Sequence, residues 1–597
     1  MLHASDTPVA DLPGVPLLVL WTAMVSGLLE AGFRAVQHFG LGRVVLIPPD
    51  VAWMAPLADL VWIGVPAGML LVARRIIPGI ITRQLLWSVT LGIGFLPLIL
   101  LATGMHKLVA LVLAFGLGLQ AARFLQRHAD RSGAVIRRST PWLLALVLLS
   151  GIILQAGPGI LERRALAATP AAAEDRPSVL LIIWDTVREQ SLSTYGYELE
   201  TSPTLSRLAQ TGVRFDLAFS TAPWTLPSHG SMFTGYRPRA FMRGRMRPIS
   251  DTLPTLAEVL TTQGYATAGF VANILYAGSE HGLSRGFLRY EDYPLSASTV
   301  VLASRLGRVI SDQDWVRHLV GYYNLLGRKD AGTITADFLD WQAGLNGRPY
   351  FAFLNYFDAH RPYMPPREYR ERFVTLDGDG LFPRWEHADL DRMQAGEVAW
   401  TNQLYDAGIA YLDTDLGRLL DSLADRGVLD NTIVIVTSDH GEHFGDHDRV
   451  EHMNSLYRQL LHVPLVIRYP PRVPAGTVVA DAVSLVDLPA TILRLAGAEE
   501  GGRLGGASLS RYWTGGPAGE RPIFAEFAQV EGIGPYSIVV PPYHYINWGD
   551  RKRPVEVYDL NQDPLEAHNL ADDPGLVEVV AGFERLGSRL VGPREQW

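Results

Sequence analysis

Val179-Leu-Leu-Ile-Ile-Trp184, running straight into Asp185, is a continuous apolar stretch that ends in a carboxylate. An unbroken run of this length reads as a strand buried on both faces, the kind found in parallel sheets. The same form recurs downstream. Thr432-Ile-Val-Ile-Val436 leads to Asp439, His440, Gly441 and Glu442, and Tyr350-Phe-Ala-Phe-Leu354 leads to Asn355, Asp358 and His360. A weaker run at 268–272 ends at Asn273. Helix-like stretches separate the runs, so the expected fold class is α/β, a sheet between helices. Ligands of open α/β sheets bind at the carboxyl ends of the strands, where residues distant in sequence converge. One Asp after one strand is commonly a turn residue or a helix cap. Oxygen and nitrogen ligands recurring at equivalent strand ends point instead to a divalent ion.

A second segment carries the chemistry: Ala222-Pro-Trp-Thr-Leu-Pro-Ser-His-Gly-Ser-Met-Phe-Thr-Gly235. Pro227 suits an early helix position, with Thr225 just before the first turn. A hydroxyl there meets the positive end of the helix dipole, and so does an anionic ester. A metal held by Asp185, Asp439 and His440 would make that hydroxyl a nucleophile. The simpler alternative is that Thr225 caps the helix.

The two ends of the chain differ in composition. Residues 1–157 are mostly apolar and are expected to form a transmembrane helical domain, with spans near 15–36, 52–73, 84–104, 107–124 and 141–157, each close to the ~20 residues a helix needs to cross a bilayer. Residues 158–177, rich in Ala and Pro, read as a linker, and 178–597 as the catalytic domain with a C-terminal subdomain. Arg74, Arg75 and Arg83 fall in one loop, and Arg123, Arg127, Arg131, Arg137 and Arg138 in another. With five spans both loops lie on one side, the cytoplasmic one, which places the catalytic domain of this multi-pass membrane protein on the extracytoplasmic side. Glu30 and Asp59 lie inside expected spans, where acids are functional suspects; the simpler reading is that Glu30 snorkels near a helix end and Asp59 pairs within the bundle. The net charge of −9 and the lack of a basic run argue against a nucleic-acid partner. With no cysteine, disulfides, thiolate metal sites and a cysteine nucleophile are excluded.

From Ser178 to about Leu570 the chain resembles the sulfatase branch of the alkaline phosphatase superfamily. The segments that carry the resemblance are IIWDTVREQSLSTYGYELETSPTLSRLAQTGVRF, APWTLPSHGSMFTG, FAFLNYFDAHRPYMPP, TSDHGEHFGDHDRVEH, LLHVPLVIRYP and VYDLNQDPLEAHNLA. It implies an alkaline phosphatase/sulfatase-like sheet between helices and a smaller C-terminal subdomain that includes VYDLNQDP. Carried over by position, Asp185 matches the first metal carboxylate, Asp439 and His440 the later metal pair, and Thr225 both the nucleophile and a fourth metal ligand. His360 resembles the family's active-site histidine, a general acid for the leaving oxygen. His447 and His452 occupy the stretch where relatives place a substrate-binding His or Lys, and Asn273 falls near the site of a family Lys. Authentic sulfatases have Cys or Ser at the nucleophile position, oxidised to formylglycine, followed by x-Pro-Ser-Arg. Here the residues are Thr225 and, in place of the Arg, His229, which with Asn273, His447 and His452 is expected to bind substrate, and the usual Asp beside Asp185 is Thr186.

A threonine ester cannot expel its group by collapsing to an aldehyde, so water or an acceptor alcohol must attack it. The pairing of a threonine nucleophile with five spans is similar in layout to lipoteichoic acid synthase and the phosphoethanolamine transferases. The resemblance therefore implies a phosphate-ester hydrolase or phosphotransferase acting on an envelope lipid or glycan, with one divalent ion: zinc or manganese first, magnesium or calcium as alternatives. The other readings are a sulfatase that works without formylglycine and a non-catalytic protein that kept the fold.

Overall fold

In the computed structural model, which describes residues 14–102, 104–173, 175–244, 247–321, 324–376, 395–498, 504–515, 521–527, 534–550 and 553–591, the apolar runs are neighbours in one sheet. Its strands are β1 (Ser178–Trp184), β2 (Val213–Phe219), β3 (Ala266–Val271), β4 (Arg289–Glu291), β5 (Tyr350–Tyr356), β6 (Thr432–Thr437), and two strands that follow a small β7–β8 ribbon (His443–Phe444 and Val450–Glu451), β9 (His462–Arg468) and β10 (Thr477–Ser484). The order across the eight-stranded sheet is β10-β2-β9-β6-β1-β5-β3-β4. All neighbours are parallel except β9, which runs antiparallel to both β2 and β6. Every residue of β3, β5 and β6 is buried, as expected for strands covered on both faces.

Register turns this order into a site. Ile183 of β1 lies opposite Asn355 of β5 and Thr437 of β6, and Val271 of β3 lies opposite Asn355. Asp439, Asp185, Asn355 and Asn273 therefore stand at or just past the carboxyl ends of four adjacent strands, on one edge. The expected C-terminal subdomain is a four-stranded antiparallel sheet, β11 (Ile523–Glu526), β12 (Tyr536–Val540), β13 (Tyr543–Asn547) and β14 (Glu556–Asp559), and β14 lies within the VYDLNQDP region.

The chain divides into two compact units, Met1–Arg163 with Tyr293–Gly327, and Arg164–Asp292 with Arg328–Trp597. In the first, five helices are long and apolar enough to cross a membrane: α1 (Val15–Ala35), α2 (Val51–Ile76), α3 (Arg83–Ala102), α4 (Lys107–Arg127) and α5 (Ala129–Ala168). Small residues let them approach closely; a Cβ at Gly118 of α4 would sit 2.5 Å from the Gly92 nitrogen of α3.

Three expectations are corrected here. The proposed linker 158–177 is helical as far as Ala168, because Leu161-Glu-Arg-Arg-Ala-Leu-Ala-Ala168 is built of strong helix formers that outweigh Pro158. The catalytic region is not one continuous body, since 293–327 belongs to the first unit. Glu30 does not snorkel; it is fully buried and paired with Arg34.

Candidate active site

α6 (Thr225–Thr234) begins at Thr225, and its N-cap is Trp224, whose side chain makes no capping bond. The capping alternative for Thr225 therefore fails. Its Oγ1 instead accepts from the Asn273 amide nitrogen at 3.2 Å and lies 3.3 Å from His440 Nε2. The His440 Nδ1–H donates to the Gly441 carbonyl at 2.9 Å, which leaves the Nε2 lone pair facing the hydroxyl. α6 ends at Gly235, in the left-handed region at φ 75°, where a Cβ would collide with the Gly505 backbone.

Asp185, Asp439 and His440 are fully buried, and one ligand atom from each lies within 4.8 Å of the others. Asp185 Oδ2 accepts from the Asn273 and Asn355 amides at 2.8 and 3.1 Å. Asp439 Oδ1 accepts the Thr186 and His440 backbone N–H groups at 3.2 and 2.9 Å. The other oxygens, Asp185 Oδ1 and Asp439 Oδ2, have no hydrogen-bond partner among the described residues although buried. Each such orphan costs about 1–3 kcal/mol. Two unsatisfied carboxylate oxygens facing an imidazole lone pair are a donor set suited to a divalent cation. Without one, burial, then repulsion from Asp439, raises Asp185 to about 8. Burial likewise raises Asp439 to about 7 and lowers His440 to about 4.

Residues 177–498, more than half of the 597, match the family model described as Sulfatase. The chain belongs to the sulfatase family. As a member it is a hydrolase of sulfate or phosphate esters, and its family binds a divalent metal ion. Residues 445–592 also match the model described as N-sulphoglucosamine sulphohydrolase, C-terminal. Among curated relatives, the choline-sulfatase of Rhizobium meliloti is 24% identical over 446 residues, which cover 67% of this chain and 83% of that protein. Arylsulfatase K of Bos taurus is 26% identical over 448 residues, covering 69% and 80%. In fold, the sulfatase-family chain is similar to the phosphonate monoester hydrolase of Agrobacterium radiobacter, with a TM-score of 0.53 at 22% identity over 69% of this chain and 95% of that one.

Other candidate residues of this sulfatase-family protein fall into distinct places. His360 stacks on Phe357 with ring centres 4.0 Å apart, donates from Nδ1 to the Arg361 carbonyl at 2.7 Å and lies edge-on to His452. Burial, then the neighbouring His452, holds it well below the usual histidine range, so it rests neutral. His452 lies 4.5 Å from the His440 ring and shares a hydrogen bond of 2.8 Å with Glu442, whose other oxygen accepts from Tyr363 at 2.7 Å. Asn273 sits against the Thr225 hydroxyl rather than out at a substrate position.

His229 occupies a different place from the substrate contact expected of it. It is fully buried, its Nδ1–H donates to the Thr225 carbonyl at 2.9 Å, and its ring packs edge-on against Phe353. Burial lowers it to about 3, so it cannot stand in for an arginine's charge. His447 stacks face to face on Tyr457 at 3.6 Å, and no hydrogen bond or ring contact among the described residues joins it to Asp185, Thr225, Asp439 or His440. Thr186, in place of the usual Asp and held at φ 64°, donates to the Asp185 carbonyl at 2.7 Å.

The sequence shows Asn355 as a strand-end polar residue but carries no sign of its amide bond to Asp185. Ser228, at 2.7 Å, and Ser220 both donate to the Asp439 carbonyl, for which the sequence offered no signal.

Proposed function

We propose that this protein is a membrane-anchored esterase or transferase that removes a phosphoryl group from an envelope lipid or glycan through a covalent intermediate on Thr225. The observation that carries the reading is the Thr225 hydroxyl at the start of α6, held by Asn273 and facing His440, where a helix cap would need it to turn toward its own backbone. Asp185, Asp439 and His440 would hold the divalent ion, zinc or manganese by their mixed oxygen and nitrogen donors, and it would lower the hydroxyl pKa and polarise the ester.

The chain's own residues do the rest. Asn273 keeps the Thr225 oxygen in place, and Asn355 orients Asp185. The helix N-terminus favours the anionic ester. The Thr225 oxygen, its proton released to solvent water, bonds to phosphorus as the bond to the leaving oxygen breaks. Binding an anion beside His360 raises the affinity of that imidazole for a proton, which it delivers to the leaving oxygen. Neutral again, His360 accepts a proton from the attacking water or acceptor hydroxyl, and the Thr225–phosphorus bond breaks.

A sulfate ester is the second reading, favoured by the sulfatases among the curated relatives. Against it stands Thr225 itself, which has no aldehyde hydrate to collapse. The test is to trap the protein with a slow phosphodiester and map the adduct by mass spectrometry. A phosphoryl group is expected on the peptide spanning Trp224–Gly235. Thr225→Ala should abolish turnover while keeping the metal content, and Thr225→Ser should retain activity. A fully active Thr225→Ala variant would refute the nucleophile assignment.

A further inference from the structure

Residues 293–327 leave the sheet-bearing unit between β4 and β5 and fold with the apolar bundle. They contain three short helices, α7 (Ala297–Ala303), α8 (Arg305–Ser311) and α9 (Asp314–Val320). Ala303 packs on Met54 and Ala55 of α2. Leu306 clusters with Leu96 and Leu100 of α3 and with Ala110 and Ala114 of α4, against Trp62. Trp62 lies eleven residues beyond Val51, the start of α2. At 1.5 Å per residue that is ~16 Å along the helix axis, well below its end. Backbone that breaks between helices at membrane depth must find partners in protein. The break between α7 and α8 does so on the two acids of the bundle: the Arg305 N–H donates to Glu30 at 2.6 Å and the Ser304 hydroxyl to Asp59 at 2.8 Å.

The last helix of the segment is different. Trp315 and Leu319, one turn apart, are 66% and 78% exposed, and Val320 is 68% exposed. Three large apolar side chains left bare on seven residues, continuous with a bundle whose own outer surface is apolar, match the composition of a lipid interface and not of a water-facing loop.

We propose that residues 297–320 are a membrane-seated arm of the catalytic region: α7 and α8 plug the bundle, and α9 lies in the bilayer interface with Trp315 and Leu319 among the acyl chains. The partner is the lipid bilayer itself. The inference rests on reading α1–α5 as membrane-spanning. It gives Glu30 and Asp59 a role, seating the arm, and it ties the catalytic region to the membrane at a second point besides α5.

The absence of cysteine makes the test clean. Trp315→Cys and Leu319→Cys are labelled with an environment-sensitive fluorophore, and the full chain is reconstituted in vesicles carrying nitroxide lipids. Leu148→Cys on α5 and Asp340→Cys, an exposed position of the other unit, are the references. Labels at 315 and 319 should emit to the blue of the 340 label and lose at least about half their intensity to shallow nitroxides, as label 148 does to deeper ones. Labels at 315 and 319 that behave like label 340, while label 148 is quenched, would overturn the arm and leave the bundle standing. A label at 148 untouched by nitroxides would overturn the membrane reading of the bundle and the arm with it.

Discussion

The Asn273 amide bridges Thr225 and Asp185, donating to Oγ1 of the first at 3.2 Å and to Oδ2 of the second at 2.8 Å. One side chain at the end of β3 thus couples the proposed nucleophile to a metal-ligand candidate at the end of β1. Both the hydroxyl oxygen and the carboxylate would lose a donor on Asn273→Ala. Removing one preorganised donor from a charge-developing site costs about 10²–10³ in kcat. A fall of that order, with KM little changed, is expected for Asn273→Ala, and steady-state kinetics on a phosphodiester would measure it. An unchanged kcat would show the bridge to be structural only.

Ion binding should depend steeply on pH. Burial raises Asp185 to about 8 and Asp439 to about 7 in the ion-free protein, against about 4 in an unfolded chain. Both folded values are raised, so the ion-free fold holds these protons more tightly than the unfolded chain does. That contribution is complete below about pH 4 and is lost as pH rises through about 7 to 8. A divalent ion replaces the protons. Zinc or manganese should therefore raise Tm little at pH 5 and most at pH 8, with apparent affinity gaining at least about 10²-fold between pH 6 and 8. Asp439→Ala should abolish the effect. Thermal shift and titration of the chelated protein decide this, and a pH-independent affinity would count against a two-carboxylate site.

His360→Ala should slow esters of poor leaving groups most. A positioned acid contributes about 10²–10⁴-fold, and an activated aryl ester needs little of it. Comparing alkyl and aryl phosphodiesters tests this. Equal losses on both would move His360 to substrate binding, beside His452 and Glu442.

Topology is open to a direct check. Five spans put the loop at 128 and the end of α5 on opposite sides of the membrane. Reporter fusions at residues 128 and 170 should report cytoplasmic and extracytoplasmic positions respectively. The same side for both would sink the five-span arrangement.

Thr225→Cys separates descent from chemistry. Co-expressed with a formylglycine-generating enzyme, a cysteine here meets Pro227 and Ser228 but His229 in place of arginine. If the substrate pocket still accepts sulfate, the variant should gain arylsulfatase activity over the Thr225 protein. No gain, with the aldehyde confirmed by mass spectrometry, would argue that the pocket is built for phosphoryl esters.

The strands and their endings could be read from the chain alone, because a strand buried on both faces is a local pattern of apolar residues and its terminal polar residue is next in sequence. Asp185, Asp439 and His440 were legible for that reason, and the five apolar helices by length and hydropathy. What only the tertiary structure decided involves partners far apart in the chain. Asn355 reaching Asp185, Ser228 holding the Asp439 carbonyl and Glu442 orienting His452 depend on strand register and on the close approach of Gly441 to Gln459, where a Cβ would lie 2.0 Å from the carbonyl oxygen. His229 stands at the motif position of the Arg, a single exchange, yet burial against Phe353 is what makes the histidine neutral and turns it toward Thr225. The sorting of residues 293–327 into the unit of the five apolar helices was likewise hidden, since helices of seven residues carry too weak a periodicity to announce a partner, and their apolar faces acquire meaning only once Met54, Leu96 and Ala114 are packed against them.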